Sequence, residues 1–152
     1  MIKKHKAMVL SCIDPRFQSI VYNYLKKKKL NGKYSSFTIA GSAIGVTAPK
    51  FRKWHKTFWD NLETSIKLHK IKKLIVINHR DCGAAKIINR NKIFNYFNSR
   101  LHFYAGFHHH HSYNISFFRV SIQSGVSPEF RVQVTRHASE AVNDMNIHFN
   151  TE

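Results

Sequence analysis

No apolar run in this sequence approaches the roughly 20 residues that cross a bilayer, so no membrane is expected as a partner. Cysteine is scarce: Cys12 and Cys82 are the only two among 152 residues. In a secreted chain they allow one disulfide at most; in a reducing compartment a metal-binding or catalytic role suits them better. Acidic residues are also few, 8 against 25 Lys and Arg, for a formal charge of +17. No internal repeat is present, and no helix-turn-helix, zinc-finger or RNA-binding signature accompanies the charge. Lysine disappears after Lys92.

What is present describes a folded domain. Hydrophobic residues make up 43% of the chain, enough for a globular core and too many for a disordered one. Residues 1–92 hold 21 basic and 4 acidic groups, whereas residues 93–152 hold 4 of each and seven of the 11 histidines. The composition changes near residue 92, so an α/β core over residues 1–98 is expected beside a divergent C-terminal segment over 99–152 that completes the same domain, does a different job or has a different origin. The basic start Met1-Ile-Lys-Lys-His-Lys6 resembles a secretory signal. Its apolar part is too short, and Asp14-Pro15-Arg16 follows at once. An opening strand and a cytoplasmic protein are expected instead.

Along the chain, residues 7–11 read as a buried strand. Phe17 to Leu30 reads as a helix with Phe17, Ile20, Val21, Tyr24 and Leu25 on one stripe, closed by Asn31-Gly32. Tyr34 to Ala40 reads as a second strand, and residues 45–53 as a loop. Trp54 to His69 reads as a second helix with Phe58, Leu62, Ile66 and Leu68 apolar and Trp59 alongside. Leu74 to Ile77 is β-branched, uncharged and suited to a strand covered on both faces. Alternating strands and helices predict an α/β fold: a parallel-core sheet flanked by helices, with right-handed crossovers. A helix is expected from Ala84 to about Phe97. Beyond it, Asn114 to Gln123 and Phe130 to Thr135 are possible strands and Ala138 to Met145 a possible helix. The run His108–His111 reads as a solvated loop rather than a metal site.

The chemistry gathers where two strands end. His79 follows one apolar strand and Cys82 comes three positions later; Cys12 follows the other strand. Parallel neighbours would bring Cys12, His79 and Cys82 to one sheet edge, the place where α/β sites form. A Cys2His set suits Zn2+ and leaves a fourth position for water, as catalytic zinc sites do. Such a water has a pKa of about 7, which makes hydroxide available at neutral pH. Asp14 lies two residues beyond Cys12, and Arg16 two beyond that. Asp14 either closes the site as a fourth ligand or accepts a hydrogen bond from the hydroxide. Arg16, by pairing bidentately with Asp14, would hold it off the metal. The bland alternative is two buried thiols, a packed histidine and a loop salt bridge.

Cys-x-Asp-x-Arg at Cys12, Asp14 and Arg16, with His-x-x-Cys-Gly from His79 to Gly83, resembles the β-class carbonic anhydrases. Ala40-Gly41-Ser42, Leu62-Glu63 and Asp81-Cys82-Gly83-Ala84 support the likeness, which covers roughly residues 7–98. Pro15 stands where many members have serine and Ser42 where many have asparagine. The last third matches poorly. The resemblance implies a β-carbonic-anhydrase-like fold with an atypical C-terminal segment, and hydration of carbon dioxide to bicarbonate by zinc-bound hydroxide. It implies metal ligands at Cys12, His79 and Cys82, an Asp14–Arg16 dyad, and a homodimer or larger homo-oligomer with its cleft at a subunit interface.

Under that reading Gly41 and Gly83 could present backbone N–H groups to bicarbonate, or simply meet turn requirements. Two other functions compete. One is a related zinc hydrolase acting on carbonyl sulfide or carbon disulfide. The other is an inactive basic zinc protein that binds nucleic acid; the charge supports it, but the missing signatures make nucleic acid an unexpected partner.

Overall fold

The computed structural model describes residues 5–79, 82–87, 115–122, 125–133 and 136. Strand β1, Ala7–Ser11, is buried at every position. It lies in the middle of a four-stranded sheet of order β2-β1-β3-β4, where β2 is Tyr34–Thr38, β3 is Lys73–His79 and β4 is Ile115–Ser121. β1 runs parallel to β2, with Leu10 opposite Phe37, and parallel to β3, with Leu10 opposite Val76. β4 is antiparallel to β3 over its whole length, from Lys73 opposite Ser121 to His79 opposite Ile115.

Alternation along the central strands divides the core in two, because successive side chains on a strand face opposite ways. Ala7, Val9, Ile75 and Ile77 pack with Leu25, Val21 and Tyr24 of helix α1, Gln18–Lys27. Met8, Leu10, Leu74 and Val76 face the other way, onto Phe58, Trp59 and Leu62 of helix α3, Arg52–His69. Each of those three α3 residues is at most 6% exposed. The sheet is thus sealed on both faces, which is why the middles of its central strands, Ala7–Leu10 and Leu74–Ile77, carry no polar residue. Two i,i+4 ion pairs, Lys56–Asp60 and Lys67–Glu63, lie on the exposed side of α3; pairs of this kind add a few tenths of a kcal/mol each.

Several local expectations change. Part of the span read as a loop is helix α2, Ala43–Thr47, followed by a 3-10 turn over Pro49–Phe51. Gly45 allows α2 to pack where it does, since a Cβ there would run into the Ala40 carbonyl oxygen. Pro49 and its basic neighbours point to a loop, and burial of four of the five α2 residues overrides that signal. Leu68 is 62% exposed and off the α3 stripe, because it lies two rather than three or four residues from Ile66. Phe17 lies in a 3-10 turn, Pro15–Phe17, ahead of α1.

Residues 128–133 are helical, not extended. Ser127 Oγ accepts the Phe130 N–H at 3.2 Å and Pro128 takes the first helical position, an ordinary helix start. Phe130 enters the main core edge-on to Trp59, with ring centroids 6.4 Å apart. The His108–His111 run, the extension of the fourth helix towards Phe97 and the segment Ala138 to Met145 lie outside the described residues. No helix among the described residues is long and apolar enough to cross a membrane.

Candidate metal centre

The chain turns from β1 to β2 on one side of the sheet and reaches β3 on the other. The carboxyl ends of β1 and β3 therefore flank the topological switch point, where the connections diverge and leave a crevice. Register brings matching atoms there: Ser11 is opposite Ile77, so Cys12 leaves β1 level with Asn78, one residue before β3 ends at His79. Cys82 follows, ahead of helix α4, Gly83–Ile87.

The ligand atoms of Cys12, His79 and Cys82 all lie within 4.8 Å of one another, and all three residues are buried. The two sulfurs are 3.9 Å apart. Two thiolates bound tetrahedrally to one zinc at about 2.3 Å each would be roughly 3.8 Å apart. Spacing, burial and donor types thus fit a metal of that size. The group is the only one of three or more potential ligands among the described residues.

Backbone amides surround the sulfurs. The Gly41 N–H donates to Cys12 Sγ at 3.3 Å. The Cys82 thiol, then burial opposing it, then His79 and the amides of Asp14 and Gly41 set the Cys12 pKa, which is lowered to about 4. Cys82 is pushed up, first by sharing its proton with Cys12 and then by burial, while the Ala85 and Ala84 amides favour its thiolate. A divalent ion held between the two sulfurs would favour the thiolate form of both. The bend that aims Gly41 is strained. Gly41 has φ +79°, and Ser42 follows with φ +49° and ψ −113°. A Cβ on Gly41 would come 3.0 Å from the Ala84 Cβ.

Asp14 caps the 3-10 turn by accepting the Arg16 N–H at 3.0 Å. Arg16 also grips both carboxylate oxygens, Nε to Oδ1 at 3.0 Å and Nη2 to Oδ2 at 2.6 Å. This bidentate pair holds the Asp14 carboxyl down at about 2. Oδ2 stands 3.9 Å from His79 Nε2, so the dyad lies at the mouth of the ligand cluster. The Asp14 side chain is 15% exposed and that of Arg16 56%.

Three contributors have no signal in the sequence. Phe17 stacks on His79 with centroids 4.1 Å apart and fixes the ring from the α1 side. Gln18 Nε2 donates to the Cys12 carbonyl at 2.8 Å and the Asp14 carbonyl at 3.2 Å, tying down the loop between them. Asn78 Oδ1 accepts the Ala43 N–H at 3.2 Å, joining β3 to the bend that carries Gly41. The Gly41 N–H is directed at a sulfur, and Gly83 is an exposed first residue of α4 with open space around its α-carbon.

Comparison with known proteins gives a family. A family model described as "Putative carbonic anhydrase" matches residues 2–102, about two-thirds of the chain. An uncharacterized protein of Rickettsia conorii is 28% identical over 87 residues, 57% of this chain and 47% of that protein. An uncharacterized protein of Rickettsia bellii is 28% identical over 85 residues, 56% of this chain and 52% of that one. The chain thus spans about half the length of the curated relatives it matches. No solved structure matches.

Proposed function

The chain belongs to the carbonic anhydrase family whose model spans residues 2–102, and from that premise we propose that it is a β-class zinc enzyme that reversibly hydrates carbon dioxide to bicarbonate. The observation that carries the proposal is the meeting of the Cys12, His79 and Cys82 ligand atoms beside the Asp14–Arg16 pair. Cys12, His79 and Cys82 would hold Zn2+. When bound, the metal supplies Lewis acidity that brings the pKa of a water near 7.

The protein's own groups do the rest. Asp14, ionised at any physiological pH, accepts a hydrogen bond from the attacking water and turns its lone pair towards the carbon of carbon dioxide. Arg16 keeps both carboxylate oxygens occupied, so Asp14 orients the water instead of closing the site as a ligand. The Gly41 amide donates to the Cys12 sulfur, which would draw charge from that thiolate and leave a bound Zn2+ more electrophilic. Phe17 keeps the His79 ring in one orientation.

We further propose that the protein acts in the cytoplasm as a homodimer or larger homo-oligomer. Two free buried thiols support a reducing compartment. Ile13, 57% exposed between Cys12 and Asp14, offers apolar surface at the mouth of the site for a second copy.

Stopped-flow carbon dioxide hydration, run on zinc-loaded and zinc-free protein, tests the assignment. Hydration that appears with about one zinc per chain and disappears without it is the expected result. Zinc binding with no hydration above the zinc-free control would sink it. Carbonyl sulfide and carbon disulfide, run in parallel, decide between related substrates.

A further inference from the structure

The opposite end of the sheet holds a second feature. At the amino edge of β1 and β3, on the α1 side, an open groove of about 700 Å³ is lined by Lys6, Lys28, Lys70, Lys72 and Lys73. This lies roughly 20 Å from the metal centre, the length of the seven-residue β3. The volume falls within the range of small-molecule sites.

The lysines come from three places: ahead of β1, the C-cap of α1, and the stretch from the C-cap of α3 to the first residue of β3. Two helix C-termini meet here, which explains some of the positive charge. Their dipoles amount to about half a negative charge each, or roughly one against five ammonium groups. No carboxylate lines the groove, and none of the five is ion-paired among the described residues. Asp14, Asp60 and Glu63 are each paired elsewhere, on Arg16, Lys56 and Lys67.

The groove floor is not purely electrostatic. Tyr24, Leu30 and Ile75 form an apolar wall beside the lysines, and the Lys28 ammonium stands 5.7 Å from the Tyr24 ring centroid. The His5 rim is fixed. Its Nδ1 lies 3.0 Å from Ser35 Oγ, which bonds Ser65 Oγ at 2.7 Å, and its ring stacks on His69 at 3.8 Å. A fixed rim, an apolar wall and a cluster of point charges suit a compact ligand with several phosphates and an aromatic body. An extended nucleic acid strand needs a continuous basic track instead.

We propose that this groove binds a small organic polyphosphate of the nucleoside triphosphate class, at a site separate from the metal centre. Isothermal titration of the zinc-loaded 152-residue chain tests it, with ATP, adenosine, inorganic tripolyphosphate and a single-stranded oligonucleotide as probes at physiological salt. One ATP per chain is expected, bound more tightly than either adenosine or tripolyphosphate. The double variant Lys72→Glu/Lys73→Glu should weaken ATP at least about tenfold, while Lys56→Glu, on the far half of α3, leaves it unchanged. Lys72 and Lys73 are exposed, so zinc content and circular dichroism should match the parent. Lys28→Glu, on a different element, repeats the test if that variant fails to fold. The proposal is overturned by absent ATP binding, by tripolyphosphate binding as tightly as ATP, by equal weakening from Lys56→Glu, or by an oligonucleotide that displaces ATP at lower concentration.

Discussion

The sulfur atoms of Cys12 and Cys82 lie 3.9 Å apart although 70 residues separate them along the chain. Each sits beside backbone amides that favour its thiolate: Asp14 and Gly41 at Cys12, Ala84 and Ala85 at Cys82. Elemental analysis of purified protein should therefore find about one zinc per chain. Cys82→Ser should abolish it. Because metal binding is linked to folding, chelation should also lower the Tm of the parent and leave that of the Ser variant unchanged.

Asp14→Asn should retain zinc and lose carbon dioxide hydration by about 100-fold or more, the scale expected when a positioned proton acceptor is removed. A variant that keeps most of its rate would remove Asp14 from the mechanism. Arg16→Ala frees the carboxylate that Arg16 now holds on both oxygens, so Asp14 should move onto the metal. An altered X-ray absorption edge is the expected signature.

Gly45→Ala places a methyl group against the Ala40 carbonyl oxygen, at the point where α2 folds back over the bend carrying Gly41. Overpacking of this kind costs about 1–3 kcal/mol. Chemical denaturation should show that loss, together with weaker zinc retention as the Gly41 amide shifts away from Cys12.

Phe130 is 6% exposed and packs on Trp59, although it lies well beyond the family-matched segment. Phe130→Ala should cost about 3 kcal/mol in denaturant unfolding. An unchanged midpoint would show that helix 128–133 is not part of the cooperative core.

His55 should titrate below its ordinary 6.5, because burial disfavours its cation more than the Ala48 carbonyl at 3.0 Å supports it. The folded pKa lies below the unfolded one, so the unfolded chain binds more protons in that window. The stability His55 contributes is present above pH 6.5 and declines as the pH falls through that value. NMR titration of its ring should give the lower midpoint, and His55→Gln should flatten that part of the stability–pH curve.

The elements whose burial repeats at short range were legible in the sequence. Strands β1 and β3 are built on the apolar runs Ala7–Leu10 and Leu74–Ile77, and α3 repeats its apolar residues at Phe58, Leu62 and Ile66. Where local propensity and burial disagree, reading the chain alone failed. The loop expected over residues 45–53 holds part of helix α2, and the strand expected over Phe130 to Thr135 overlaps helical residues 128–133, because their helicity comes from packing against α3 and from a Ser127 cap.

The same division holds for the metal centre. The sequence by itself determined which atoms are available: two thiols and an imidazole at strand ends, with a carboxylate and a guanidinium two residues apart. Their spacing along the chain also let Arg16 grip Asp14, because that contact is local. Only the tertiary structure decided that Cys12 and Cys82 meet, since that depends on β1 lying beside β3 with Leu10 opposite Val76. Only it aimed the Gly41 amide at a sulfur, through a left-handed bend tied to β3 by Asn78 and too close to Ala84 for a side chain at position 41. Strand order and register arise from burying both sheet faces at once, and no window of neighbouring residues contains that constraint.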